Sequence, residues 1–308
     1  RRDRTMTAVI EVAGLHKRYR DTDALTDVSF AVEADAIYGL LGRNGAGKTT
    51  LMSILTAQNF ATAGRVRVFG EDPYENPRVL SRMCFVRESQ KYPEDAKPGH
   101  AFAAARLFFP NWDADLAADL IAAFQIPVGR TIKKLSRGQL SAVGVVIGLA
   151  SRAEITFFDE PYLGLDAVAR QIFYDRLLQD YALHPRTIIL SSHLIDEVAN
   201  LLERVIVLDG GRIVLDEETD AVRQRATTIV GDAAAVDAFC AGREVLHRET
   251  LGRVASVTIL GELASEDRRI LADARLEVSP VSLQEFIVRS TQRAANAPAT
   301  PAQEGALR

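Results

Sequence analysis

Cysteine is nearly absent: Cys84 and Cys240 are the only two in 308 residues. Two cannot build a disulfide framework, and they stand in no metal-ligand spacing, so a small disulfide scaffold is excluded and the usage fits a reducing, cytosolic compartment. The five histidines are equally scattered. Long apolar runs are missing too. The longest, Val143 to Ala150, is less than half of the roughly 18 residues that a membrane-crossing helix needs, so the chain is expected not to span a bilayer alone. An excess of positive charge is also lacking. Lys and Arg total 37 against 41 Asp and Glu, a formal charge of -4, which leaves no whole-molecule field to hold nucleic acid; no nucleic-acid partner is expected. The segment Arg1 to Met6 lacks the apolar stretch of a secretory signal, and Met6 reads as a candidate natural start. No internal repeat is evident.

What remains is ordinary globular composition, 47% hydrophobic and 25% charged, in a length that suggests about two domains. Short β runs come first: Val9 to Val12, Val28 to Val32, Ile37 to Leu41 and Arg65 to Phe69, with one helix after the glycine-rich segment Gly42 to Gly47 carrying Leu51, Ile54 and Leu55 at helical spacing. From about residue 92 to 150 the Ala- and Leu-rich chain has helical periodicity broken by Pro110, Pro127 and Gly129, which predicts several short helices. Strands return at Glu154 to Phe158, Thr187 to Leu190 and Val205 to Leu208, separated by helices over Ala167 to Leu183 and Leu194 to Leu201. That alternation predicts a parallel sheet with helices on its faces. Residues 220–290 predict a small α+β unit, with strands at Thr227 to Val230, Val254 to Leu260 and Leu276 to Ser279 and helices at Ala233 to Cys240 and Ser265 to Asp273. The Ala- and Pro-rich stretch 294–308 is expected to be a disordered tail.

The strongest chemical signal is Gly42-Arg43-Asn44-Gly45-Ala46-Gly47-Lys48-Thr49-Thr50, which satisfies G-x-x-x-x-G-K-[ST] between a predicted strand and a predicted helix. Glycines let such a loop turn its N–H groups toward a phosphate chain, the following helix aims its positive end at the anion, and Lys48 is expected to reach the β- and γ-phosphates. Thr49 is expected to put its hydroxyl on Mg²⁺. A second signal is Ile155-Thr156-Phe157-Phe158-Asp159-Glu160, an apolar strand ending in two acids: Asp159 is assigned to Mg²⁺ and Glu160 to polarising an attacking water.

Between them lies Leu135-Ser136-Arg137-Gly138-Gln139. Taken with GRNGAGKTT, FFDEP, Tyr162-Leu163-Gly164-Leu165-Asp166 and Ser192-His193, it makes residues 8–218 resemble the ATP-binding subunit of an ABC transporter, with the motifs in the family's order. More narrowly, Leu135 to Asp166 and Phe108 to Trp112 are similar to bacterial ABC ATPases found with GntR-type regulators. The resemblance implies an α/β fold: a P-loop NTPase (RecA-like) core with an antiparallel β subdomain and a helical signature subdomain, here followed by the small C-terminal α+β domain. It implies an ATPase that works as a homodimer or as a heterodimer with a related subunit. It further implies a separate integral-membrane permease and a cytoplasmic position on the inner face of the membrane. The other reading kept open is a regulatory or non-transport ABC ATPase with weak or no turnover.

By the same resemblance, Ser136, Gly138 and Gln139 form the signature loop that meets ATP on the opposite subunit, Asp166 belongs to the D-loop, His193 is the switch histidine at the γ-phosphate and Tyr19 stacks on adenine. Read alone, Ser136 is equally a helix N-cap. Two positions depart from the family. Arg137 stands where a second signature glycine is usual. Glu88 stands at the Q-loop glutamine position, with Gln90 two residues late, and Glu88 is the residue assigned to Mg²⁺ sensing. Phe102, Leu107, Phe108, Phe109 and Trp112 carry two readings, a groove for a permease coupling helix or the core of the helical subdomain. The C-terminal unit has no motif to choose between a dimerisation and a regulator-binding role.

Overall fold

The computed structural model describes residues 8–88, 90–261 and 263–296, with side chains through residue 290. The chain divides into two compact units, the first ending at Glu218 and the second beginning at Thr219.

In the first unit, strands β1 (Ala8–Tyr19), β2 (Thr22–Glu33) and β3 (Ile37–Leu41) precede helix α1 (Lys48–Leu55). Strand β4 (Ala63–Val68), the short helix α2 (Pro77–Leu80) and strand β5 (Met83–Val86) follow. Next come α3 (Pro98–Phe108), α4 (Ala114–Ala123) and α5 (Arg137–Ala150). The unit closes with β6 (Ile155–Asp159), α6 (Ala167–Leu183), β7 (Thr187–Ser192), α7 (Ile195–Val198), β8 (Arg204–Asp209) and β9 (Arg212–Glu218).

These strands build two sheets. One is antiparallel, in the order β2-β1-β4; the other has six strands in the order β5-β6-β7-β3-β8-β9. Strands β5, β6, β7, β3 and β8 pair in parallel, and β9 closes the edge antiparallel to β8. Every residue of β3, β6 and β7 is buried, as near-continuous apolar runs such as Ile37-Tyr38-Gly39-Leu40-Leu41 require in a parallel sheet covered on both faces. Leu51, Met52, Ile54 and Leu55 of α1 join a core with Ile155, Phe157 and residues of β1 and β2.

The helices start where local chemistry dictates. Asp113 caps α4 by accepting from Leu116 N at 2.8 Å, and Ser136 opens α5 in a capping box with Gln139. Helix α3 stops at Phe108, before Pro110, and α4 at Ala123, before Pro127. The aromatic cluster divides: Phe102 is buried, Phe109 and Trp112 are half-buried, and Leu107 and Phe108 are 86% and 74% exposed.

The differences from the sequence expectations have local causes. The helix expected over Leu194 to Leu201 contracts to Ile195–Val198, because the chain turns at Leu201, whose N–H bonds Val198 O at 2.8 Å, and Asn200 is a poor helix former. Strands β1 and β2 outrun their apolar cores because the polar stretch to Tyr19 pairs back across the hairpin, Arg18 opposite Asp23 and Tyr19 opposite Thr22. Strand β9 carries three acids and no clean alternation, and only its pairing with β8 makes it a strand.

The second unit runs α8 (Thr219–Gln224), β10 (Ala226–Asp232), α9 (Ala233–Cys240), β11 (Val245–Leu251), β12 (Val254–Leu260), α10 (Ser265–Asp273), β13 (Glu277–Pro280) and α11 (Leu283–Asn296). From β10 to β13 this is a β-α-β-β-α-β sequence folded as an antiparallel sheet ordered β11-β12-β10-β13, the ferredoxin-like arrangement. Its core gathers Ile229, Val236, Phe239, Val257, Ile259 and Leu271. The largely exposed strand β11 was not expected. Helix α11 reaches Asn296, past residue 294 where a tail was expected to start; the rest of that expectation, residues 297–308, lies outside the described residues.

Candidate functional site

Parallel pairing brings the C-terminal ends of β3, β6 and β7 side by side, and the loops leaving those ends carry the candidate residues. The β3 exit is Gly42 to Gly47. Gly47 sits at φ 106°, and a Cβ there would meet Ala24 O at 2.7 Å, so only glycine allows this entry into α1. No side chain caps α1 and its first turn holds no acid. The first-turn N–H groups are therefore left for an external anion. Helices α4, α5 and α6, by contrast, are capped by Asp113, Ser136 and Asp166. Arg43, Asn44, Gly45 and Thr49 are exposed, Thr50 is half-buried and Ala46 is buried.

Lys48 is buried. Its Nζ donates to Gly42 O at 2.7 Å and lies 3.3 Å from Glu160 Oε1. Asp159 ends β6, opposite Ser191 in β7, and its Oδ1 accepts from Ser191 Oγ at 2.7 Å. Glu160 follows in the left-handed region at φ 49°, a strained position for a side-chain-bearing residue. Its N–H donates to the same Ser191 Oγ at 3.0 Å, which fixes the turn. Glu160 Oε2 accepts from the Tyr162 hydroxyl and lies 2.8 Å from His193 Nδ1, a contact that assigns the proton to Nδ1. The Tyr162 oxygen is also 3.0 Å from Ser192 Oγ and 3.4 Å from His193 Nδ1. Burial, and then its hydrogen bond to Glu160, push the Tyr162 phenol far above its ordinary range, so it stays a donor at every working pH. Lys48, Asp159, Glu160 and His193 thus converge as expected. Ser191 and Tyr162 belong with them as well; the parallel register opposite Asp159 is the signal for Ser191, and Tyr162 heads the run to Asp166 with no residue-level sign of its contact with Glu160.

A second group lies around the start of α5. Ser136 Oγ accepts from Gln139 N and Gln139 Oε1 from Ser136 N, both at 3.1 Å, so the N-cap reading of Ser136 holds. A Cβ on Gly138 would stand 2.6 Å from Gly164 O. Asp166 caps α6 by accepting from Ala169 N at 2.8 Å, and Ser136, Gly138, Gln139, Gly164 and Asp166 line one surface depression. Among the described residues no hydrogen bond joins this group to Lys48. Glu88 pairs with Arg137, Nη2 to Oε1 at 3.2 Å, rather than with Thr49 or Asp159, and Gln90 lines a depression beside both. Tyr19 is exposed, takes a hydrogen bond from Asn59 Nδ2 and has Lys17 Nζ 4.7 Å from its ring centre.

A phosphate loop on β3, acids at the end of β6 and a histidine beyond β7 define a P-loop nucleoside triphosphatase. Residues 25–163 match the ABC transporter family. The chain is 30% identical over 272 residues to the doxorubicin resistance ATP-binding protein DrrA of Mycobacterium tuberculosis, covering 85% of this chain and 78% of that one. It is 26% identical to the ABC transporter ATP-binding protein YtrB of Bacillus subtilis, covering 70% and 74%. It is also 29% identical to the aliphatic sulfonates import ATP-binding protein SsuB 1 of Nocardia farcinica, covering 72% and 86%. A solved ATP-binding subunit of an ABC transporter superposes with a TM-score of 0.62 at 22% identity, over 70% of this chain and 92% of that one. The chain belongs to the ATP-binding subunits of ABC transporters, and it is an ATPase of that family.

Proposed function

We propose that this ATPase drives substrate movement through a separate membrane permease, by closing with a second copy or a related subunit around ATP and opening after hydrolysis. The observation that carries this reading is the convergence of Lys48, Asp159, Glu160 and His193 beside an α1 N-terminus that no side chain caps. Lys48 takes the β- and γ-phosphates, with the N–H groups of residues 42 to 50 around them. Tyr19 stacks on adenine.

The donor set suits Mg²⁺ carried by a nucleotide: Thr49 offers an exposed hydroxyl and Asp159 one carboxylate, and Glu88 is retained as a further sensing group. Among the described residues no group of three or more His, Cys, Asp or Glu is placed to hold a metal ion by itself, and a nucleotide-borne Mg²⁺, bound by one or two carboxylates plus phosphates, needs none. When bound, Mg²⁺ neutralises phosphate charge. Glu160 takes the proton of the in-line water and His193 meets the γ-phosphate, general-base help of this kind being worth about 10² to 10⁴ in rate. Ser136, Gly138 and Gln139 complete the site of the opposite subunit, with the α5 N-terminus toward its γ-phosphate, and Asp166 lines the interface.

No helix among the described residues is long and apolar enough to cross a membrane. We accordingly assign the transport path to the permease and the location to the cytoplasmic face of the membrane. Exposed Leu107 and Phe108 suit a helix-in-groove contact with it. Steady-state ATP hydrolysis by the purified chain, with and without membranes carrying a candidate permease, tests the reading. Permease-stimulated turnover is expected; no turnover under either condition would move the chain to a regulatory role.

A further inference from the structure

Tyr162 is 2% exposed, and every hydrogen-bonding capacity of its hydroxyl is engaged. The proton goes to Glu160 Oε2. The oxygen accepts from His193 N at 3.3 Å and lies 3.0 Å from Ser192 Oγ. Ser192 Oγ itself accepts from Leu194 N at 2.9 Å, so its own proton is free for the phenol. Donors therefore line up in one direction, from the Leu194 amide through Ser192 and Tyr162 to the Glu160 carboxylate, an order in which each bond polarises the next. The chain ties the segment that leaves β7, with His193 in it, to the acid that ends β6.

The carboxylate is held asymmetrically. Oε2 receives both Tyr162 and His193, whereas Oε1 is buried, accepts no hydrogen bond and is ion-paired with Lys48 Nζ at 3.3 Å, a cation that bound phosphates would draw away. That is the oxygen on the phosphate-loop side. We propose that Tyr162 is a positioning residue for hydrolysis: it pins Oε2 so that Oε1 is left to take the proton of the attacking water. This rests on the reading of Glu160 as general base. In the step, the water oxygen bonds the γ-phosphorus, one water proton passes to Oε1, and the bond from the γ-phosphorus to the bridging oxygen breaks, leaving ADP and phosphate. Tyr162 keeps its own proton throughout. A carboxylate free to rotate would hold neither oxygen at the water, and small losses of alignment at a reacting centre cost up to about 10²-fold in rate.

Tyr162→Phe keeps the ring in its buried slot and removes only the hydroxyl. Its kcat is expected to fall at least tenfold with the ATP KM within twofold of the parent and a thermal midpoint within a few degrees. On a Glu160→Gln background, where the pinned base is gone, the same substitution is expected to lower residual turnover by no more than twofold. Full kcat in Tyr162→Phe beside an inactive Glu160→Gln would overturn the role of Tyr162 while leaving that of Glu160 standing. Equal losses on both backgrounds, or a rise in KM and a drop in melting temperature that match the loss of kcat, would make Tyr162 a packing residue only. If Glu160→Gln itself keeps full turnover, the general-base reading fails first and takes this inference with it.

Discussion

Glu88 and Arg137, which the resemblance sets at the Q-loop glutamine and the second signature glycine, are paired with each other, Oε1 to Nη2 at 3.2 Å. Their side chains are 41% and 73% exposed, so solvent screens the pair and it contributes at most about 1 kcal/mol to stability. Glu88→Gln is therefore expected to leave the denaturation midpoint nearly unchanged, and any effect must appear in turnover. With Glu88 acting at the Q-loop position, Glu88→Gln lowers Mg²⁺-dependent ATP hydrolysis and Gln90→Ala does not. Steady-state assays across a Mg²⁺ titration check both variants.

Gly138 leaves no room for a methyl group, because its Cβ would stand 2.6 Å from a backbone oxygen, Gly164 O, which cannot rotate away. Gly138→Ala should force the start of α5 from the Gly164 turn, an overpacking cost of about 1–3 kcal/mol. Urea unfolding measures that loss. ATP hydrolysis is expected to fall with it, since Ser136 and Asp166 lie two residues from Gly138 and Gly164 and line the same depression.

Cys84 is buried, and burial pushes its thiol up to about 12. Cys240 is buried and raised by the same cause. Native protein at pH 8 should react with a thiol-specific disulfide reagent far more slowly than protein unfolded in guanidinium. The unfolded thiol ionises near its ordinary value of about 8.5 while folded Cys84 stays protonated, so its contribution is full below that pH and is lost as pH rises toward 12. Unfolding followed from pH 7 to 11 checks the slope.

The parallel core was readable from the sequence because buried strands are written as unbroken apolar runs, as at Ile37 to Leu41, and helices α6, α9 and α10 because each runs without glycine or proline, α6 and α9 behind a capping Asp. The edge strands β9 and β11 were not readable, since an edge needs apolar residues on one face at most and owes its conformation to the partner strand. The same division holds at the site. Lys48, Asp159 and Glu160 stand in local motifs whose residue types carry the chemistry, and His193 is marked by the family resemblance. Ser191 and Tyr162 act through partners 31 and two residues away, on the neighbouring strand and across a turn, and no local pattern records that.

The most direct test of the account is single-turnover and steady-state ATP hydrolysis by Glu160→Gln. The substitution keeps the shape of the side chain but removes its basicity, so turnover should fall at least about 10²-fold. ATP binding should persist, and a dimer holding unhydrolysed ATP should accumulate on size exclusion. Parental turnover in this variant, with ATP converted to ADP at the usual rate, would contradict the assignment of Glu160 as the base.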